Sequence, residues 1–403
     1  MPVLTRASSG NLRLSELAPN FVQSEIRAMT VACADVGGIN MAQGVCDTEP
    51  PHPVVKAAID AINSGHNIYT RHDGIPLLRE AIAAKLSHFN RIEVNPRTQV
   101  LVTSGATGAM NAALMAVLDA GDECVVFEPF YGYHVSTLRA MHAVPVVVPL
   151  VGPKFPLDLE RLRAVITPRT RAIILNSPAN PSGKVFSLSE VEAIAEIALE
   201  FDLFVFTDEI YEYFTYDGQS PISIATLPGM AERTITISGF SKTFSVTGWR
   251  LGYLTASERW LPAIGYFHDL IYICAPSPLQ YGAAAGLLQM KDSFYNDLSA
   301  EYQLKRDAIC ASLTRAGLSP SVPEGAYYIL ANATSISGAD AKQKARKLLA
   351  DTGIATVAGS AFFTSDNTGT NSGENLLRFC FAKTERELAE ACRRLDAYST
   401  STR

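Results

Sequence analysis

The chain has 403 residues, 47% hydrophobic and 18% charged, which suits a folded α/β protein with more than one core. A formal charge of −6, with no basic stripe and no aromatic–basic alternation, argues against a nucleic-acid surface. Seven scattered cysteines without CxxC spacing read as reduced thiols, not as a disulfide framework or a zinc site. No apolar run approaches the roughly 20 residues of a membrane span. Residues 1–20 lack the apolar core of a secretion signal, so a cytoplasmic protein with no membrane partner is expected.

From about residue 98, short β-branched runs alternate with helical periodicity, the pattern of a parallel sheet covered by helices. The predicted strands are Val100–Thr103, Cys124–Glu128, Val144–Val148, Ala172–Leu175, Leu203–Thr207, Thr234–Ser238 and Leu251–Thr255. Between them fall helical stretches at Gly105–Leu118, Leu157–Ile166 and Leu188–Glu200, the last opened by a capping box of Ser187 and Glu190. Near residue 290 the pattern changes to a long polar helix, Lys291–Ala316. It is followed by strands Ala326–Leu330 and Asn375–Phe381 and by helices at Ala339–Asp351 and from Glu385; Thr364–Gly373 reads as a polar loop. The expected organisation is a large α/β domain at 50–290 and a smaller α+β domain from 291–403, with 1–49 as an arm and part of the smaller domain.

Open parallel sheets bind ligands beyond the carboxyl ends of their strands, and the chemically suggestive segments all lie there. Ser104–Ala109 follows a strand and opens a helix. Its small residues would let backbone N–H groups approach an anion at the helix dipole, or simply allow tight packing. Asn176–Lys184 is a proline-rich turn whose Gly183-Lys184 lacks the spacing of a P-loop. In Phe206–Tyr211 an aspartate directly follows an apolar strand, where an unpartnered carboxylate is costly. It is either a helix cap or a group that holds a proton on a ring nitrogen. Arg378 is a lone charge within Leu376–Phe381, either a solvated edge residue or a carboxylate clamp. Lys242 sits among small hydroxyl residues, with Arg250 eight positions on, a setting for an amine that attacks a carbonyl.

Five segments in order resemble landmarks of the class I/II pyridoxal-phosphate-dependent aminotransferases. These are YTRHDGIPLLREAIA (69–83), EPFYGY (128–133), NSPANPSGK (176–184), TDEIYEYF (207–214) and GFSKTFSVTGWRLGY (239–253). The resemblance covers residues 40–385. It implies fold type I, a mostly parallel seven-stranded sheet flanked by helices with a smaller α+β domain, as in aspartate, kynurenine and methionine aminotransferases.

The resemblance implies pyridoxal 5′-phosphate as cofactor and assigns roles by matching position. Lys242 would form the internal Schiff base and then shuttle protons. Asp208 would pair with the pyridine nitrogen, and Asn180 and Tyr211 would bind the ring oxygen. Tyr131 would stack on the ring, while Gly105, Ala106, Thr107, Ser241 and Arg250 would cradle the phosphate. Arg378 would clamp the substrate α-carboxylate, with Asn180 beside it and Gly44 in the loop opposite. Tyr69 would reach the phosphate of a neighbouring subunit, which implies a homodimer with shared sites.

Two positions depart from the family pattern. Gly239 stands where many members carry serine, so the phosphate would lean on Ser238 or on backbone groups. Cys46 stands where a proline commonly follows Gly44 by two, and reads as a small packing residue. The expected reaction is transfer of an amino group from an amino acid to a 2-oxo acid. A lyase of the same fold, such as a carbon–sulfur β-lyase or an aminocyclopropane-carboxylate synthase, would use the same residues. Ile39, Val45 and Tyr131 suggest a partly apolar substrate pocket, and Arg71 and His72 read more readily as solvated turn residues than as ligands.

Overall fold

Seven short apolar runs, each closed by glycine, proline or polar turn residues, pair into one sheet in the computed structural model, which describes residues 14–15, 17–18, 25–152, 154–365 and 368–398. The strands are β1 (Val100–Thr103), β2 (Glu123–Glu128), β3 (Val144–Pro149), β4 (Thr170–Asn176), β5 (Phe204–Asp208), β6 (Thr234–Gly239) and β7 (Gly252–Thr255). Their spatial order is β1-β7-β6-β5-β4-β2-β3. All neighbours run parallel except β7, which is antiparallel to both β6 and β1. Because β7 runs backwards, its first residue lies beside the last residues of its neighbours: Gly252 registers with Thr103 and with Gly239. One edge of the sheet therefore collects the carboxyl ends of β1, β2, β4, β5 and β6.

Helices cover both faces. Gly105–Val117 buries Ala109, Ala113 and Leu114 against Leu101, Ile235, Ile237 and Leu254. Leu188–Glu200 keeps its capping box, with Ser187 and Glu190 exchanging hydrogen bonds, and packs Val191, Ile194 and Ile197 on the opposite face. The expected helix at Leu157–Ile166 is shorter, Leu159–Ala164, because Asp158 caps it by accepting from the Arg161 backbone N–H. Among the described residues, six further α-helices go unannounced by periodicity: Glu25–Asp35, His52–Asn63, Pro76–Lys85, Gly132–Ala140, Leu261–Tyr272 and Ser277–Gln289. Ser277–Gln289 is small and apolar nearly all round, so it shows no stripe.

A second sheet is antiparallel: β8 (Ser319–Ser321), β9 (Tyr328–Asn332), β10 (Val357–Ala358) and β11 (Leu376–Cys380), in the order β10-β11-β9-β8. It forms a separate apolar cluster with helices Asp292–Arg315, Ala341–Thr352 and Glu385–Ala397, joined by Met29 and Cys33 of the helix Glu25–Asp35. Ile210, Tyr211 and Phe214 project from the end of β5 into that cluster, so the two layers meet beside the sheet edge. The predicted polar loop holds one isolated bridge, Ser365 to Asn371; its residues 366–367, like most of the predicted N-terminal arm up to residue 24, lie outside the described residues. No helix among the described residues is long and apolar enough to cross a membrane.

Candidate active site

At that edge lies a cavity of about 660 Å³, lined by residues from β5, from the turns after β4 and β6, from two helix starts, and from β9 and β11. Eleven of the sequence-predicted positions reach it: Gly44, Ala106, Thr107, Tyr131, Asn180, Asp208, Tyr211, Ser241, Lys242, Arg250 and Arg378. Gly105 lies immediately behind, while Ser238 and Tyr69 do not line it.

Lys242 follows β6 in a tight turn, and its Nζ donates to the Gly44 carbonyl at 3.1 Å, 5.8 Å from the Tyr327 ring centroid. Desolvation lowers its pKa from the ordinary lysine value, so a larger fraction of the amine is free base at neutral pH. Cys46 lies against this turn, its thiol donating to the Lys242 carbonyl at 3.6 Å, and burial raises its pKa. Cys46 is thus held as a protonated thiol, as expected of a packing residue.

Asp208 ends β5 and is buried, yet it does not lack partners. Its Oδ2 lies 3.0 Å from His134 Nε2, and its Oδ1 accepts from the Ile210 backbone N–H at 3.4 Å. Tyr131 stacks beside Tyr133 at 5.2 Å and meets the His134 ring edge-on at 5.3 Å. His134 was not among the sequence-predicted residues. Its only signal was a histidine three places after Tyr131 at the start of the helix Gly132–Ala140.

Arg378, on β11, is 1% exposed and far from a solvated edge. Its Nη1 donates to Asn180 Oδ1 at 3.0 Å and its Nη2 to the Ala42 carbonyl at 2.6 Å. The guanidinium carbon lies 4.5 Å from the Tyr328 ring centroid and 4.8 Å from that of Phe362, while Nε has no partner among the described residues. A buried arginine with spare donors and flanking aromatic faces suits a planar carboxylate. Tyr328 is a second residue that sequence reasoning missed; its hydroxyl lies 2.9 Å from that of Tyr211. It also explains Gly44, where an added Cβ would fall 1.9 Å from the Tyr328 hydroxyl.

The anion end is built by close backbone approach. Gly105 has φ +74°, and a Cβ there would lie 2.6 Å from Arg250 Nη2. Gly252 passes so close beneath that its Cβ would be 2.6 Å from the Ala106 N. Arg250 itself is left-handed, φ 52°, with Nη1 on the Thr247 carbonyl at 3.1 Å. Ser238 corrects an expectation. Its hydroxyl donates to Glu212 Oε1 at 2.8 Å, away from the cavity, because alternate residues of a strand face opposite sides. At Gly239 a Cβ would meet Gly252 Cα at 3.0 Å, so the serine common in the family has no ready room. Of the positions expected at the phosphate, Ala106, Thr107, Ser241 and Arg250 line this end of the cavity, and Ser238 does not.

Of the residues suggested for substrate preference, Val45 and Tyr131 line the cavity and Ile39 does not. Arg71 is mostly exposed, with its guanidinium paired to Asp73 at 3.0 and 2.9 Å, the solvated reading.

Comparison with known proteins decides the family. Residues 36–395 match the family described as Aminotransferase class I and II. The chain belongs to it. A probable N-succinyldiaminopimelate aminotransferase of Mycobacterium tuberculosis is 35% identical over 391 residues, covering 95% of this chain and 98% of that one. The solved N-succinyldiaminopimelate aminotransferase structure from M. tuberculosis superposes with a TM-score of 0.91 at 34% identity over 96% of this chain and all of that one. An Escherichia coli enzyme whose structure is described with a methionine aminotransferase function gives 0.90 at 29% identity, again over 96% and 100%. The fold is therefore fold type I, and the protein is a pyridoxal-phosphate-dependent aminotransferase acting on amino acids and 2-oxo acids. The lyase alternative has no support among these relatives.

Proposed function

We propose that the cavity residues carry out transamination in the roles that follow, with Lys242 as the catalytic base and cofactor anchor. The observation that carries this reading is the convergence of three groups on one cavity: a desolvated lysine amine, a buried aspartate and a fully buried arginine. The residues fit pyridoxal phosphate, since the glycine-lined turn at Gly105 leaves room for an anion beside Arg250 and Asp208 presents a carboxylate to a ring nitrogen. When bound, the cofactor supplies an electrophilic aldehyde carbon and an electron-accepting ring.

Gly105, Ala106, Thr107, Ser241 and Arg250 hold the phosphate by backbone N–H groups, hydroxyls and one guanidinium. Asp208 keeps a proton on the ring nitrogen, and His134, on its other oxygen, positions the carboxylate. Tyr131 would stack on the ring, and Asn180 and Tyr211 would bind the ring oxygen. Arg378, steadied by Asn180 and the Ala42 carbonyl, takes the α-carboxylate and so sets the Cα–H toward Lys242. Lys242 accepts that proton as free base and returns it, a step of the kind worth about 10²–10⁴ in rate. Ile26, Val45, Met110 and Tyr133 give the cavity an apolar flank, which supports a neutral or aromatic amino donor.

The protein works as a cytoplasmic homodimer on this reading. Exposed Ile68, Tyr69, Tyr266, Leu270, Ile271 and Ile273 supply the apolar surface that a partner copy would cover, with Tyr69 reaching the neighbour's phosphate site. A division into a large unit at 50–290 and a smaller one from 1–49 and 291–403 is supported by apolar clusters that are distinct except where Ile210, Tyr211, Phe214 and Tyr216 join the smaller unit's cluster and Leu330 the larger's. The test is borohydride reduction of the cofactor-loaded protein followed by peptide mapping. The label is expected at Lys242, and Lys242→Ala should bind cofactor without covalent fixation and without turnover. A label elsewhere, or normal turnover of the variant, overturns the assignment.

A further inference from the structure

The proposed roles use Lys242, Asp208, Arg250 and Arg378, and leave one charged residue of the cavity without a task. Arg27 lines the cavity from the helix Glu25–Asp35, together with Ile26 and Thr30 on the same face. It is exposed, and no ion pair is formed by it among the described residues. Counting Arg27, the lining carries Arg27, Arg250, Arg378 and Lys242 against Asp208 as its one acidic residue. Arg250 is balanced by a phosphate, Arg378 by an α-carboxylate, and Asp208 by a ring nitrogen. Lys242 works as the free base, so one cation, Arg27, is left over.

Its position is not independent of the α-carboxylate clamp. Thr30 Oγ1 donates to the Ile26 carbonyl at 2.8 Å and accepts from Asn40 Nδ2 at 3.2 Å. Asn40 Oδ1 in turn accepts from the backbone N–H groups of Ala42 and Gln43 at 3.0 and 3.1 Å. The Ala42 carbonyl is the one that receives Arg378 Nη2. A continuous run of hydrogen bonds thus fixes the helix carrying Arg27 to the loop that holds Arg378. Two guanidiniums tied to one scaffold, on one cavity, suit a ligand with a carboxylate at each end.

Resting on the transamination reading, we propose that Arg27 recognises the distal carboxylate of a dicarboxylic substrate, making it a specificity-determining residue for an acidic 2-oxo acid acceptor. Neutral donors would use the apolar flank of the same cavity, and the acidic partner would turn its second carboxylate to the mouth. Lysine at this position would keep the charge without the planar fork.

The test compares Arg27→Gln and Arg27→Lys with the wild-type holoenzyme, using 2-oxoglutarate and 4-methyl-2-oxopentanoate as acceptors with one neutral donor. A charge-assisted hydrogen bond of this kind predicts a roughly ten- to hundred-fold fall in the ratio of kcat/KM for the dicarboxylic over the neutral acceptor in Arg27→Gln. Arg27→Lys should retain part of the ratio. Calorimetric titration with glutarate, set against pentanoate, should show the same selective loss with no turnover involved. An unchanged ratio, or a wild-type enzyme that turns over the neutral acceptor but not 2-oxoglutarate, overturns the Arg27 assignment and leaves transamination standing. Wild-type enzyme inactive with every donor and acceptor would sink both.

Discussion

Beneath Asp208, on the side away from the cavity, Glu209 is fully buried and answers to pH in a way that can be measured. Its Oε1 accepts from Ser223 Oγ at 2.7 Å and its Oε2 from Asn90 Nδ2 at 3.3 Å, while Lys85 is spent on neighbouring Glu212 at 2.5 Å. Burial first, and the Glu212 charge second, push the Glu209 pKa from 4.5 up to about 7. A folded-state value above the unfolded one means that the native protein holds more protons across that window. Stability from this group is therefore complete below about pH 4.5, falls as pH rises to about 7, and is level beyond. The interval between 4.5 and about 7, at about 1.4 kcal/mol per pH unit, is worth roughly 3 kcal/mol. Glu209→Gln keeps an acceptor for Ser223 and cannot ionise. Urea unfolding of both proteins with saturating cofactor, at a series of pH values from 4.5 to 8, reads the difference. The variant should gain about 3 kcal/mol on the wild type over that range, nearly all of it below pH 7. A difference that stays constant with pH would show that Glu209 ionises as freely in the fold as in the unfolded chain.

Two other substitutions probe the proposed anion site and the proposed carboxylate clamp. Gly252→Ala forces a Cβ to 2.6 Å from the Ala106 N and 2.8 Å from the Gly105 carbonyl carbon, both backbone atoms that must move. We expect roughly 1–3 kcal/mol of destabilisation and weaker cofactor binding in an absorbance titration; Gly248→Ala, with open space around it, should show neither. Arg378→Lys loses the planar fork that reaches Asn180 and the Ala42 carbonyl and that, on the proposed reading, would take the α-carboxylate as well. It should lower kcat/KM for α-amino acids by roughly 10²-fold or more, mainly through KM, and should spare cofactor affinity; an unchanged KM would remove Arg378 from substrate binding.

What the sequence disclosed, and what it withheld, follows from where each residue finds its partners. The strands of the large sheet were legible because each is a short apolar run, but such runs look alike whichever way they pair, so the reversal of β7 was not. Lys242, Asp208 and the Asn176–Lys184 turn were legible because their chemistry is written within a few adjacent residues. His134, Tyr328 and Arg27 were not, since each acquires meaning only from positions distant in the chain. His134 meets Asp208 across 74 residues, and Tyr328 meets Tyr211 across 117. Ser238 failed for the opposite reason: a hydroxyl beside the lysine motif looked suitable, and the two-residue period of β6 turned it toward Glu212. The same turning ties Glu212 to the strand that leads into the Lys242 turn. Glu212 is the shared partner of Lys85, Asn90 and Ser238. Glu209 shares Asn90 with it, so the group that sets the pH response and the strand that ends at the Lys242 turn belong to one hydrogen-bond network.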